Sequence, residues 1–149
     1  YNFGAQKIDR VKQTLKLGIV SGVVITSSGF FICELFPHAV SAIFTDSDHL
    51  IDLAVDGLRI TVIMFPFVGA QIVIGNFFQS IGKAKISIFL SLTRQLLYLL
   101  PCLLLFPNWW GLKGIWISMP VSDALAFITA VISLIIYIKK VSKQHPIAE

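Results

Sequence analysis

Four apolar stretches dominate the chain, each about as long as the hydrocarbon core of a bilayer is thick. They run from Leu17 to Phe36, Leu58 to Ile81, Ile86 to Phe106 and Ile115 to Ile138. Lipid offers no partner to an unpaired backbone N–H or C=O, so a stretch that crosses it must be helical or belong to a closed barrel. Uninterrupted apolar runs of about 20 residues match the helix and not the alternating barrel strand. The expected fold is therefore all-α, a polytopic membrane protein with four transmembrane helices in this chain. Composition points the same way: 56% of the 149 residues are hydrophobic, 13% are charged, and the mean hydropathy is +0.82. A soluble domain carries about 25% charged residues, and a soluble bundle this apolar would leave large greasy patches in water.

The charges orient the stretches. Lys7, Arg10, Lys12 and Lys16 precede the first, Lys83 and Lys85 separate the second and third, and Lys139, Lys140 and Lys143 follow the fourth. If the four alternate in direction, these basic residues share one side. The opposite connections hold Asp46, Asp48, Asp52 and Asp56, and later Lys113 alone. Basic residues concentrate in cytoplasmic loops, so both ends are expected in the cytoplasm of a cell whose inner or plasma membrane holds the protein. The sequence then divides into a cytoplasmic loop and amphipathic lead-in (1–16), a span (17–36), an outer acidic loop (37–57), a span (58–81), a cytoplasmic turn (82–85), a span (86–106), an outer loop (107–114), a span (115–138) and a basic tail (139–149). Asp9 to Lys16 is expected to run along the membrane surface. Trp109, Trp110 and Trp116 are expected at the outer interface, where amphipathic rings are favoured. The net charge of +4 does not signal nucleic acid, because the basic residues cap apolar runs and form no stripe with interleaved aromatics.

Soluble-enzyme motifs are absent: there is no nucleophile elbow, glycine-rich phosphate loop, HExxH or paired-cysteine signature. Cys33 and Cys102 each sit inside an apolar run without metal-ligand spacing and read as small packing residues. His38, His49 and His145 fall in connections or the tail and read as solvated. No catalytic residue, metal or cofactor is expected.

Polarity inside the spans is the remaining signal. A charge at the bilayer centre costs at least about 2.5 kcal/mol and requires a partner or a wet cavity. Arg94 lies ~13 Å from Lys85 at helical rise and Asp123 lies ~24 Å from Lys139. The difference is within reach of a long arginine on a tilted helix, so an Arg94–Asp123 pair between the third and fourth spans is expected. It serves either to neutralise two buried charges or to line a transport pathway. In the second span Gln71, Gly75, Gln79 and Gly82 recur at three- and four-residue spacing, with Asn76 beside them. That set suits close helix packing or a water-lined cavity, the latter making Gln71, Asn76 and Gln79 substrate-cavity candidates. In the first span Gly18, Gly22, Thr26 and Gly29 form a packing stripe. Pro66, Pro101 and Pro120 fall inside three spans and are expected to kink them, as in transporters whose bent helices flank a central cavity.

Several segments resemble one family. "YNFGAQKIDRVKQTLKL" resembles the cytoplasmic loop before the ninth span of the multidrug and toxic compound extrusion (MATE) family. "LRITVIMFPFVGAQIVIGNFFQSIGKAK" resembles its tenth span and following turn, and "SLTRQLLYLLPCLLLFP" with "GLKGIWISMPVSD" its last two. The resemblance implies a twelve-span, two-lobed antiporter of which this chain is the C-terminal third, partnered by the remaining N-terminal part. It implies alternating access, export of organic cations or amphipathic drugs against Na⁺ or H⁺, and no cofactor. Many relatives carry an acidic residue in the middle of the tenth span, where this chain reads Phe67-Val68-Gly69-Ala70-Gln71. The coupling carboxylate is therefore expected in the N-terminal lobe. Two other readings remain at this point. A lipid-linked oligosaccharide flippase of the same superfamily would need several buried basic residues, and only Arg94 lies deep. A non-transporting membrane subunit would need neither the buried charges nor the prolines.

Overall fold

The structure, a computed structural model, describes residues 2–144. His145 and the end of the basic tail lie outside the described residues. Within them every regular element is helical, and four stretches are long and apolar enough to cross a membrane: Ile8–Leu35, Asp48–Ser80, Ala84–Trp110 and Leu112–Val141.

The first span is one helix, α1 (Ile8–Leu35), which ends where Phe36 leaves helical geometry and Pro37 opens the short α2 (Pro37–Ala42). The stretch from Asp9 to Lys16 is thus not a separate lead-in but part of the same helix. The helix runs on unbroken, because no Gly or Pro interrupts the ladder before Leu17, and Leu15 is buried in the bundle core. The expected outer acidic loop of 37–57 is also largely helical. After α2, the second span begins at Asp48 as α3 (Asp48–Thr61). Asp48, Asp52 and Asp56 recur every four residues, while Val55 and Gly57 are buried. The acids lower the average hydropathy and hide an amphipathic helix.

A 3₁₀ turn, Val62–Met64, then breaks the span, and α4 (Phe65–Ser80) restarts it with Pro66 in its first turn. Proline is tolerated there because a first-turn N–H has no intrahelical partner. The helix ends in a Schellman motif: Gly82 adopts φ +76, its N–H reaches Gln79 O at 3.1 Å, and the Lys83 N–H reaches Phe78 O at 2.8 Å. That closure explains the glycine between an apolar run and two lysines. It turns the chain into α5 (Ala84–Leu92) and fixes where Lys83 projects.

The third span has three parts: α5, a π-helical turn at Thr93–Leu99, and α6 (Leu100–Trp110) with Pro101 in its first turn. In an α ladder the Pro101 ring would press on the carbonyl of Leu97. The wider π turn relieves that contact, and the Leu100 N–H bonds to Gln95 O, five residues back. The expected outer loop of 107–114 contracts to one residue. Gly111, at φ +55, stands between α6 and α7 (Leu112–Gln144). A Cβ on Gly114 would collide with the backbone of Phe106, so the hairpin closes only with glycine there. Pro120 lies inside α7 without any change of helix type.

The central helix is α4. It packs antiparallel on α1 and parallel to α7. The parallel register is steady: Gly57 meets Trp116, Phe67 meets Phe127, and Phe78 meets Tyr137. The core of buried residues includes Leu15, Ile74, Phe78, Leu90, Ala130 and Leu134. Trp109 and Trp110 are exposed at one end of the bundle, and Trp116 packs against Gly57 in the α3–α7 contact.

Candidate functional site

Arg94 and Asp123 meet. Asp123 Oδ1 accepts a hydrogen bond from Arg94 Nε at 2.9 Å and lies 2.8 Å from Arg94 Nη2, closing an ion pair. Asp123 is 7% exposed; the arginine side chain is about one-third exposed. Both contacts end on Oδ1. The π turn is what aims Arg94: an extra residue in the ladder rotates Thr93–Leu99 relative to α5 and brings Arg94 and Tyr98, four apart, toward α7.

Tyr98 makes the second link. Its hydroxyl lies 2.7 Å from Thr129 Oγ1, which itself donates to Leu125 O at 2.9 Å. With the threonine proton committed to the backbone, Tyr98 is the donor between them. The two side chains cross: the third and fourth spans are antiparallel, yet the higher-numbered Tyr98 reaches the higher-numbered Thr129. Each side chain therefore leans along the helices to find its partner, which is how the depth difference between Arg94 and Asp123 is spanned. Sequence reading missed Tyr98 and Thr129; the signal was Tyr98 standing one helical turn after Arg94. Ser118 and Ser122, fully buried on α7, bond to Gly114 O and Met119 O within their own helix.

The amide set does not assemble within this chain. Gln71 is buried at 8% exposure, and its Oε1 has no hydrogen-bond partner among the described residues. Gln79 is exposed, and Asn76 is exposed beside a cavity of about 380 Å³ at the α1–α4 seam, near Thr14, Gly18 and Ser80. Helical geometry explains the separation: Asn76 is rotated about 140° from Gln71, and Gln79 lies ~12 Å farther along the axis. At the acidic end, Arg59 lies 3.8 Å from Glu34 and His38 lies 3.8 Å from Asp52, both pairs exposed. No cluster of three or more His, Cys, Asp or Glu that could hold a metal is found among the described residues.

A family model described as MatE matches residues 1–104, more than two-thirds of the chain. The chain belongs to the MatE family. This MatE chain is thus part of a multi-span membrane transporter family, and the match covers the first three spans, including Gln71 and Arg94. The "GLKGIWISMPVSD" segment, with Asp123, lies beyond the matched residues. A solved structure titled "protein A" superposes with a TM-score of 0.83 at 36% identity, over 90% of this chain and 30% of its own. The chain therefore spans about a third of the length of that relative. No curated protein matches it.

Proposed function

We propose that the complete MatE protein is a secondary active exporter. It moves organic cations or amphipathic compounds out of the cell against entering Na⁺ or H⁺, and this chain supplies four spans of its second lobe. The lysine-rich end faces the cytoplasm, consistent with the asymmetry of Lys83, Lys85, Lys139 and Lys140 against the acidic α3. The observation that carries this reading is the Arg94–Asp123 pair on a π turn. A static anchor gains nothing from a buried ion pair that greasy residues of similar volume would replace at no loss. A helix that changes shape during alternating access needs a link that can break and re-form. A π turn ahead of Pro101, crossed by one ion pair and one hydroxyl bond, has that character. Gln71, with a buried oxygen lacking a donor, is the member of the amide set best placed to take a substrate or a neighbouring helix.

The test is export by the complete protein in proteoliposomes under an imposed Na⁺ or H⁺ gradient. Variants Arg94→Gln and Asp123→Asn are compared with the double variant, which removes both charges while keeping shape. Loss of export in all three, with the double variant inserted and folded, supports a role in transport. Wild-type export by the double variant would reduce the pair to charge neutralisation and remove the observation on which the reading stands.

A further inference from the structure

At the lysine-rich end a cavity of about 590 Å³ opens between the turn that precedes α1, the α4–α5 turn and the last turns of α7. Lys83 enters it from one side and Lys140 from another; Ser133 and Tyr137 stand on the same α7 face as Lys140, and Ile86 and Ile136 complete an apolar wall. Among the described residues no Asp or Glu lines it. Its walls are fixed and not incidental. Lys83 is held by the Schellman closure at Gly82, and Tyr137 is wedged edge-on against Phe77 and Phe78 at centroid distances of 6.3 and 5.5 Å. On the first side, Gln6 holds φ +56, and the N–H groups of Gln6 and Lys7 bond back to Phe3 O and Asn2 O.

Two exposed lysines with no acidic partner among the described residues suit an anion, and the Tyr137 hydroxyl beside them can donate to a phosphate oxygen, while Ser133 gives its proton to Thr129 O at 2.8 Å and offers only an oxygen. The surroundings select its source. Ile128, Ile132 and Ile136 are all more than half exposed and recur every four residues, forming an apolar track that leads from the cavity mouth into the depth of the span. A soluble anion makes no use of that track; an acyl chain does. The lysines also sit where apolar helices leave the hydrocarbon, at headgroup level. We propose that this cavity is a binding site for the headgroup of an anionic phospholipid, with Lys83 and Lys140 on the phosphate and an acyl chain along Ile132 and Ile136. The site depends on the chain spanning a membrane and is independent of what the transporter exports.

The experiment uses the complete protein, delipidated in detergent and titrated with phosphatidylglycerol or phosphatidylcholine of identical chains, with retained lipid counted by native mass spectrometry. Each lysine near a headgroup is worth about fivefold in affinity. The wild type should prefer phosphatidylglycerol, and Lys83→Gln/Lys140→Gln should weaken the preference about 25-fold. Lys83→Arg/Lys140→Arg should keep it, which shows that the site survives substitution. Lys113→Gln, at the opposite end, should leave it unchanged. An undiminished preference in the glutamine variant overturns the proposal, as does an equal loss in Lys113→Gln, which would mark a general charge effect. Complete displacement of the lipid by inorganic phosphate would reassign the cavity to a soluble anion and overturn it too.

Discussion

Along α1 and α4, backbone lies on backbone. A Cβ at Gly69 would run into Gly22 O and Thr26 Oγ1, one at Gly22 would come within 3.0 Å of Gly69 O, and Thr26 turns its hydroxyl proton to Gly22 O at 2.9 Å. Between the third and fourth spans backbone meets backbone only at the closed end, Gly114 on Phe106; farther along, long side chains join the helices: an arginine on an aspartate and a tyrosine on a threonine. The first seam is tightest at Gly22 and Gly69, where it tolerates nothing larger than hydrogen. The second holds through four polar groups that can separate and meet again without repacking the helices. Apolar side chains gain little by leaving lipid for a neighbouring helix, so membrane helices associate by close contact or by polar links, and this chain uses both. We read the α1–α4 seam as the rigid part of the lobe and the α7 seam as the part that moves.

Breaking the polar seam on one side should have the largest effect. Asp123→Ala leaves Arg94 in the apolar depth without its carboxylate, and removing one partner of a buried pair costs about 3–5 kcal/mol. The complete protein carrying Asp123→Ala should lose folded yield in detergent, measured by fluorescence-detected size exclusion. Adding Arg94→Leu should restore most of it. A single variant as stable as wild type would show that the pair does not join the spans.

Next comes the glycine seam. Gly69→Ala forces α1 and α4 apart at their closest approach, and overpacking of this kind costs about 1–3 kcal/mol. Gly75, on the same helix, has open space where a Cβ would sit, so Gly75→Ala should be neutral or gain a few tenths of a kcal/mol. The pair of substitutions, compared by thermal midpoint, sharpens the contrast, because equal effects at both positions would mean that Gly69 matters only for helix propensity.

These seams were unequally legible in the sequence. The four spans follow from apolar length alone, and Arg94 and Asp123 found each other because charges in lipid need partners. The glycine stripe of α1 was visible, but Gly69, its true counterpart, sat in an apolar run and carried no signal of its own. The helical character of Asp48–Gly57 was masked by three acids that a hydropathy average counts against a span. The π turn was not legible, since it arises from Pro101 acting on a carbonyl four residues earlier and from the packing that makes the wider ladder worthwhile. Gln71 was visible as a polar residue in a span; that its oxygen is buried without a donor depends on the neighbours that cover it.

Gln71→Leu separates stability from function. Replacing a buried, unpaired oxygen with a methyl group removes a desolvation cost of about 1 kcal/mol, so the thermal midpoint should hold or rise. Export should fall if Gln71 meets substrate. A lowered midpoint instead would show that another part of the complete transporter supplies the missing donor and that Gln71 belongs to packing.

The smallest effect falls on the hydroxyl link, and its asymmetry is the sharpest check on the polar seam. Tyr98→Phe removes a donor and leaves Thr129 with its bond to Leu125 O intact, so the cost is that of one interhelical hydrogen bond, about 0.6 kcal/mol in membrane proteins. Thr129→Val removes the acceptor and leaves the tyrosine proton facing an apolar neighbour, which costs more, about 1–2 kcal/mol. If Thr129 were the donor to Tyr98, it would give up its backbone bond and the order would reverse. Reversible unfolding of both variants in mixed micelles reads that order directly. Finding Tyr98→Phe the more damaging would place the proton on the threonine and undo the crossed link as described.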